Sequence, residues 1–139
     1  MARWALPLVL FLPVFLSSAC SMSPVAVKAY TGARRPAAQL CVIESGDRRV
    51  LSTIDGKPVS PGSVGVLTDE VEAAETLPGW HTVSFASSGD DLPAVIPFDC
   101  KAGHRYRLKA GQVDDPMYGS RKVYMIEDAD TKEVVASQK

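Results

Sequence analysis

Two histidines are the residues of this chain best suited to binding a metal ion. His81 and His104 each stand at the start of a predicted strand, on its apolar face. If these strands are neighbours, the imidazoles meet at one rim of the fold, and with a carboxylate they could bind zinc or copper. No third ligand stands at a diagnostic spacing, so the alternative is that each histidine hydrogen-bonds a loop carbonyl. We therefore expect no metal and no cofactor, and keep the two histidines as minor candidates.

The residue types of hydrolytic catalysis are present, but in no recognisable arrangement. The sequence contains neither a nucleophile elbow nor a cysteine–histidine signature. Residues 128–130 begin like a calcium loop, but its sixth position is not glycine, and Lys139 stands where glutamate is required. The sequence therefore predicts a protein that is not an enzyme and has no catalytic residues.

The N-terminal segment places a cysteine directly after an apolar stretch. Arg3 is the only charge among the first twenty residues, and residues 4–16 are apolar, with two prolines. This pattern indicates a secretory signal peptide, too short for a membrane-spanning helix of about 20 apolar residues. The residues around its end, Leu16-Ser17-Ser18-Ala19-Cys20, resemble a bacterial lipobox, although Ser17 stands where leucine is more usual.

The lipobox resemblance implies a lipid anchor on Cys20. It implies that diacylglycerol is attached to the sulfur, that residues 1–19 are removed as a signal peptide, and that the new amine is acylated. Several acyl chains hold a protein stably in a membrane, whereas one chain is marginal. Ser21 follows the cysteine, and by resemblance to sorting in enteric bacteria this implies the outer membrane, facing the periplasm. The alternative is an ordinary signal peptide cut near Ala19, leaving a free thiol.

Two cysteines remain if Cys20 carries lipid. A pair of cysteines in an exported chain indicates a disulfide, here between Cys41 and Cys100. It would close a loop of about 60 residues and stabilise the fold by roughly 4 kcal/mol. The alternative is two separate buried thiols.

Basic residues alternate along one predicted strand. Arg105, Arg107 and Lys109 share a face if this segment is a strand. Such a stripe is a candidate site for lipid A phosphates, anionic phospholipid headgroups or another acidic envelope component. The alternative is a solvated face interleaved with acidic residues. The chain has 15 basic and 16 acidic residues, so its charge gives no reason to expect a nucleic acid partner.

Short strands and turns follow a predicted lipidated N-terminus and tether at residues 20–37. Residues 104–110 alternate most clearly, which indicates a half-buried antiparallel strand. Residues 50–54 are expected to pair with residues 40–44 across a turn, as a hairpin. Residues 68–76 fit a short helix or an edge strand. Residues 114–119 are expected to form a loop. With the segments 80–85, 94–100, 122–127 and 133–136, this gives about seven strands. Residues 38–139 are therefore predicted to form an all-β domain, a small antiparallel β-sandwich.

Several short motifs occur in order along the chain. They are residues 30–36 (YTGARRP), 54–56 (IDG), 77–81 (LPGWH), 102–106 (AGHRY) and 127–131 (EDADT). Together they resemble a group of small uncharacterised proteobacterial lipoproteins. The resemblance implies a sandwich similar to transthyretin-like or PEGA-like surface domains, and it implies no activity. The pair Cys41 and Cys100 has no place in the shared pattern.

These observations predict a non-enzymatic envelope lipoprotein. Its expected partners are the membrane, through the lipid anchor, and an envelope protein or cell-wall component, bound for example by an exposed edge strand. One alternative is an inhibitor or soluble-ligand module in the manner of periplasmic lysozyme inhibitors, which would need a projecting loop such as residues 114–119. The other alternative is a metal-binding module on His81 and His104.

Overall fold

Alternation of apolar and polar residues builds the inner face of each sheet. Ala94, Ile96, Phe98 and Cys100 are all buried, and the residues between them are exposed. Tyr106 and Leu108 are buried in the same way along another strand. The two inner faces meet where the rings of Phe98 and Tyr106 pack edge to face, with centroids 5.0 Å apart.

The computed structural model describes residues 26–59, 71–87 and 92–138. The predicted signal peptide, Cys20 and the first residues of the predicted tether, 21–25, lie outside these residues. The described residues confirm an all-β sandwich. The structure has three strands more than the seven predicted: two strands of two residues each, and one strand within the ambiguous residues 68–76. The strands are β1 (Val27–Lys28), β2 (Cys41–Glu44), β3 (Arg49–Ile54), β4 (Lys57–Pro58), β5 (Ala73–Thr76), β6 (Gly79–Ser87), β7 (Ala94–Cys100), β8 (Arg105–Asp115), β9 (Gly119–Asp128) and β10 (Val134–Ser137).

The strands form a six-stranded and a four-stranded sheet. The larger sheet has the order β1-β5-β2-β8-β9-β10, and the smaller has the order β4-β3-β6-β7. In the described parts of the chain, no helix has the length and apolar character needed to cross a membrane.

The turn at residues 45–48 joins the two sheets. The sequence predicts that β3 pairs with β2 across this turn. In the structure β2 pairs with β5 and β8, whereas β3 pairs with β4 and β6. The hairpin prediction is therefore wrong. The prediction of antiparallel pairing for β8 holds toward β9 only, because β8 runs parallel to β2.

A disulfide links the two sheets. Cys41 begins β2 of the larger sheet, Cys100 ends β7 of the smaller sheet, and their Cα atoms lie 6.1 Å apart. This confirms the predicted pairing. We call this end of the sandwich the disulfide end. The opposite end, where β1 begins and the turn at residues 45–48 lies, is the ribbon end.

A two-stranded ribbon, residues 110–123, extends from the ribbon end. Here β8 and β9 pair only with each other, since β2 contacts β8 no further than Arg107 and β10 contacts β9 no further than Met125. Most residues of the ribbon are exposed for this reason, and none of them is buried. The predicted loop at residues 114–119 is shorter in the structure, because strand pairing continues to Asp115 and Gly119.

Candidate functional sites

His81 is held between two acceptors at the disulfide end. Its Nδ1 lies 2.7 Å from Asp55 Oδ2, and its Nε2 lies 2.7 Å from the carbonyl oxygen of Leu77. The imidazole is therefore held between a turn carboxylate and a backbone carbonyl. Burial raises the pKa of Asp55, but hydrogen bonds from the Thr82 N–H and from His81 outweigh it and lower that pKa.

His104 lies at the same end and contacts a different carboxylate. Its Nδ1 lies 2.6 Å from Asp128 Oδ2, while Asp128 Oδ1 accepts the backbone N–H groups of Asp130 and Thr131, each at 3.0 Å. The hydrogen bond from His104, followed by that from Thr131, lowers the pKa of Asp128 to about 2. The carboxylate therefore fixes the turn after β9.

His81 and His104 lie at the same end of the sandwich but beside strands of different sheets, and each hydrogen-bonds its own aspartate. Within residues 26–59, 71–87 and 92–138, no three or more His, Cys, Asp or Glu side chains are grouped to hold a metal ion. The hydrogen bonds of His81 and His104 instead join separate turns to the strands. Their geometry supports a structural role at the disulfide end.

A buried carboxylate holds two members of the predicted basic stripe. The Glu44 side chain is 4 % exposed and accepts bonds from Arg105 Nε at 3.0 Å and from Arg107 Nη2 at 2.8 Å. Parallel pairing of Val42 with Arg105 and of Glu44 with Arg107 brings the three charges together. Burial raises the pKa of Glu44, but the hydrogen bonds and charges of both arginines outweigh it, so that pKa is lowered.

The third member of the stripe, Lys109, lines an open groove at the ribbon end. The groove has a volume of about 980 Å³, and Arg48 and Arg107 line it as well. Its charges nearly balance, since its four basic and three acidic lining residues differ by one charge. They are Arg48, Arg49, Arg107 and Lys109 against Glu44, Asp47 and Glu72. The anionic-ligand site on Arg105, Arg107 and Lys109 thus stays a prediction, with part of its charge already engaged by Glu44.

An exposed indole lies on the outer face of the four-stranded sheet. Trp80 is 70 % exposed and stands directly opposite Asp99, and the neighbouring pair on this face is Thr82 with Pro97. Among the described residues, none donates a hydrogen bond to the Asp99 carboxylate and none accepts one from the indole. The alternation of β6 places Trp80 on this face from sequence alone. The signal that singles it out is a large aromatic residue on the polar side of that alternation.

The ribbon ends in a well-defined apolar tip. Met117 and Tyr118 are 79 % and 81 % exposed. Asp115 Oδ1 accepts the N–H groups of both residues, at 2.8 and 3.1 Å, and Gly119 follows with a φ of 76°. The side-chain hydrogen bonds and the left-handed glycine fix the turn. The tip therefore presents two large side chains from a short, ordered turn.

Neither a protein family, nor a curated protein, nor a solved structure matches this chain.

Proposed function

We propose that this protein is a lipid-anchored, non-enzymatic component of a bacterial envelope, and that its sandwich binds a glycan of the cell wall. The anchor is Cys20, and the binding surface is the outer face around Trp80. The observation that carries the binding role is the exposed indole of Trp80 opposite the Asp99 carboxylate, which accepts no hydrogen bond from any residue that the structure describes. The Cys41–Cys100 disulfide supports an oxidising compartment, since such bonds persist outside the cytosol.

The chemistry around Trp80 favours a sugar ring over a second apolar surface. The negative face of an aromatic ring attracts the weakly positive C–H groups on one face of a pyranose. Asp99 and Thr82 flank the indole and can bond the sugar hydroxyls. An apolar protein interface would instead need a continuous apolar patch, and Thr82 and Ser84 interrupt this face between Trp80 and Val95.

The orientation of the chain also suits a partner away from the membrane. Trp80 is next to Gly79, which pairs with Cys100 at the disulfide end. The N-terminal side of β1, toward the proposed anchor, is at the opposite end. A protein held at Cys20 therefore presents Trp80 on the side remote from its anchor.

Strand addition at β7 is a less well supported mode of binding. Pro97 lies in the middle of this edge strand and has no N–H to offer. In addition, β10 of the other sheet approaches β7 and partly covers this edge. The proposed contact therefore uses the face of the sheet rather than its edge.

A fluorescence titration tests the glycan site, because the chain has only two tryptophans, Trp4 and Trp80. In the full-length chain carrying Trp4→Phe, Trp80 is the only reporter. We expect chitotetraose, a soluble analogue of the peptidoglycan backbone, to change its emission saturably, and cellotetraose to serve as a second arm that distinguishes amino sugars from glucose. No change with either sugar would contradict the proposal.

Co-sedimentation with purified peptidoglycan sacculi provides the matched test by mutation. Trp80→Ala should weaken binding about tenfold, since loss of one aromatic contact of about 1.4 kcal/mol corresponds to that factor. Val135→Ala, at an exposed position on β10 of the other sheet, is the control and should bind as the parent does. Equal sedimentation of the Trp80→Ala protein would rule out the assigned face.

A further inference from the structure

The ribbon tip and the start of β1 lie at the same end of the larger sheet. Strand β1 runs parallel to β5, β5 runs antiparallel to β2, and β2 runs parallel to β8. Strand β8 therefore runs opposite to β1. The chain comes from Cys20 into β1 at the end toward which β8 carries the tip.

The length of chain between Cys20 and β1 can be compared with the distance that β8 extends beyond the sheet. Val27 lies seven residue steps after Cys20, and seven steps span at most about 25 Å. Across the sheet, Val27 is level with Tyr106, because both align with the pair Ile43 and Ala74. From Tyr106 to Met117, β8 and the turn after it extend eleven residue steps, or roughly 36 Å at 3.3 Å per residue.

A lipid anchor on Cys20 would therefore keep the ribbon tip within reach of the bilayer. The sheet twists by roughly 20–25° per strand pair, so the ribbon is inclined to β1 and meets the surface obliquely. The segment from Cys20 to Val27 is shorter than the stretch from Tyr106 to the tip, so the tether allows orientations of the sandwich in which the tip contacts the membrane.

The tip has the chemistry of an interfacial contact. Residues 116–120 carry no charge, and Met117, Tyr118 and the nearby Val113 are exposed. Tyrosine favours the membrane–water interface, where its ring is buried and its hydroxyl stays hydrated. Arg121 and Lys122 follow in the chain, where they would lie near the anionic headgroups if the tip entered the membrane. The ribbon has two acidic and two basic residues, Asp114 and Asp115 against Arg121 and Lys122, so the apolar tip is the main contact.

We propose that the ribbon tip, residues 116–118, inserts into the interfacial layer of the membrane that holds Cys20. This second contact fixes the orientation of the sandwich, with the disulfide end and Trp80 turned away from the lipid. The inference rests on the proposed lipid anchor. It assigns the exposed Met117 and Tyr118 to a lipid surface rather than to a cleft in another protein.

Quenching by brominated lipid tests the contact directly. The full chain is expressed with its own signal, carries Trp4→Phe and Tyr118→Trp, and is reconstituted into vesicles of phosphatidylethanolamine and phosphatidylglycerol with acyl-brominated lipid. We expect an emission component from residue 118 that is blue-shifted and loses intensity with the brominated lipid. The matched control keeps Tyr118, so that Trp80 alone reports, and its emission should be unquenched. Met117→Trp provides a second reporter at the tip.

The outcomes separate the ribbon contact from the anchor. Vesicle flotation reports the anchor independently, and a protein that does not float would overturn both the anchor and the inference built on it. If the protein floats but neither tip reporter is quenched, the ribbon contact alone is overturned. The exposed tip would then be available to contact another protein. Equal quenching of Trp80 would overturn the proposed orientation.

Discussion

At the scale of single residues, three carboxylates fix contacts between distant parts of the chain. Glu44 joins β2 to two arginines of β8, Asp55 joins the β3–β4 turn to His81, and Asp128 joins the turn after β9 to His104. In each case hydrogen bonds to the ionised form lower the pKa of the carboxyl group. These residues therefore stabilise the fold in their charged states.

Asp128 predicts a measurable acid sensitivity. Its pKa falls from an ordinary 3.8 to about 2 in the folded protein. The lowered folded pKa means that its contribution, about 2 kcal/mol, is present above roughly pH 4 and is lost as the pH falls toward 2. We expect Asp128→Asn to lower the free energy of unfolding by about this amount at neutral pH, with the difference shrinking over that acid range.

Chemical denaturation at a series of pH values checks this expectation. Asp130→Asn is the control, because Asp130 is exposed in the same turn and only its backbone N–H contacts Asp128. A difference between wild type and Asp128→Asn that stayed constant down to the lowest pH would show that the charge of Asp128 is not what stabilises the turn.

Sequence alternation predicts which residues face the core, but not the partners of the charged ones. It correctly places Tyr106 and Leu108 inward and the basic stripe on the other face. It does not reveal Glu44 as the acceptor of Arg105 and Arg107, because the contact spans 61 and 63 residues and depends on a parallel pairing that local patterns do not encode.

At the scale of elements, the junction between the β2–β3 turn and β8 depends on close packing. A Cβ atom at Gly46 would lie 2.3 Å from the backbone carbonyl oxygen of Leu108. Asp47, in the same turn, also accepts the backbone N–H of Ala110. The turn that moves the chain from one sheet to the other is therefore fixed against the strand that continues into the ribbon.

Two glycine substitutions test this junction as a matched pair. Gly46→Ala should destabilise the fold by about 1–3 kcal/mol, because the Leu108 carbonyl oxygen cannot move away from the new methyl group unless β8 itself shifts. Gly111→Ala meets the terminal methyl of Met125 at the same 2.3 Å, but that flexible end can rotate away, so we expect a loss below about 1 kcal/mol. Denaturant midpoints of the two variants give the comparison, and equal losses would contradict the assigned contact.

Local turn chemistry explains which element predictions hold and which do not. The Asp55–Gly56 dipeptide is typical of a tight hairpin turn, and in the structure it has φ of 52° and 73° and joins β3 to β4 as a hairpin. The turn at residues 45–48 has equally good turn residues, and Asp47 and Arg48 also have positive φ, yet its strands separate into different sheets. That choice depends on which core face β3 buries, and this is a property of the assembled sandwich.

At the scale of the whole molecule, the sandwich has two chemically different ends. The disulfide, both histidine–aspartate pairs and Trp80 lie at one end. The ribbon, the groove beside Lys109 and the start of β1 lie at the other. An anchor at Cys20 would give this difference between the two ends a function, because it would place the ribbon end at the lipid and turn the Trp80 face toward the cell wall.

Both the proposed orientation of the sandwich and the proposed ribbon contact depend on the lipid anchor at Cys20. The most direct test is the intact mass of the protein expressed with its own signal, combined with membrane fractionation, beside a Cys20→Ala variant. We predict a chain that begins at Cys20, carries the added mass of acyl groups and stays with the membrane, whereas the variant is neither cut at that site nor acylated. An unmodified chain recovered in the soluble fraction would contradict the anchor, and with it the orientation of the ribbon and of Trp80.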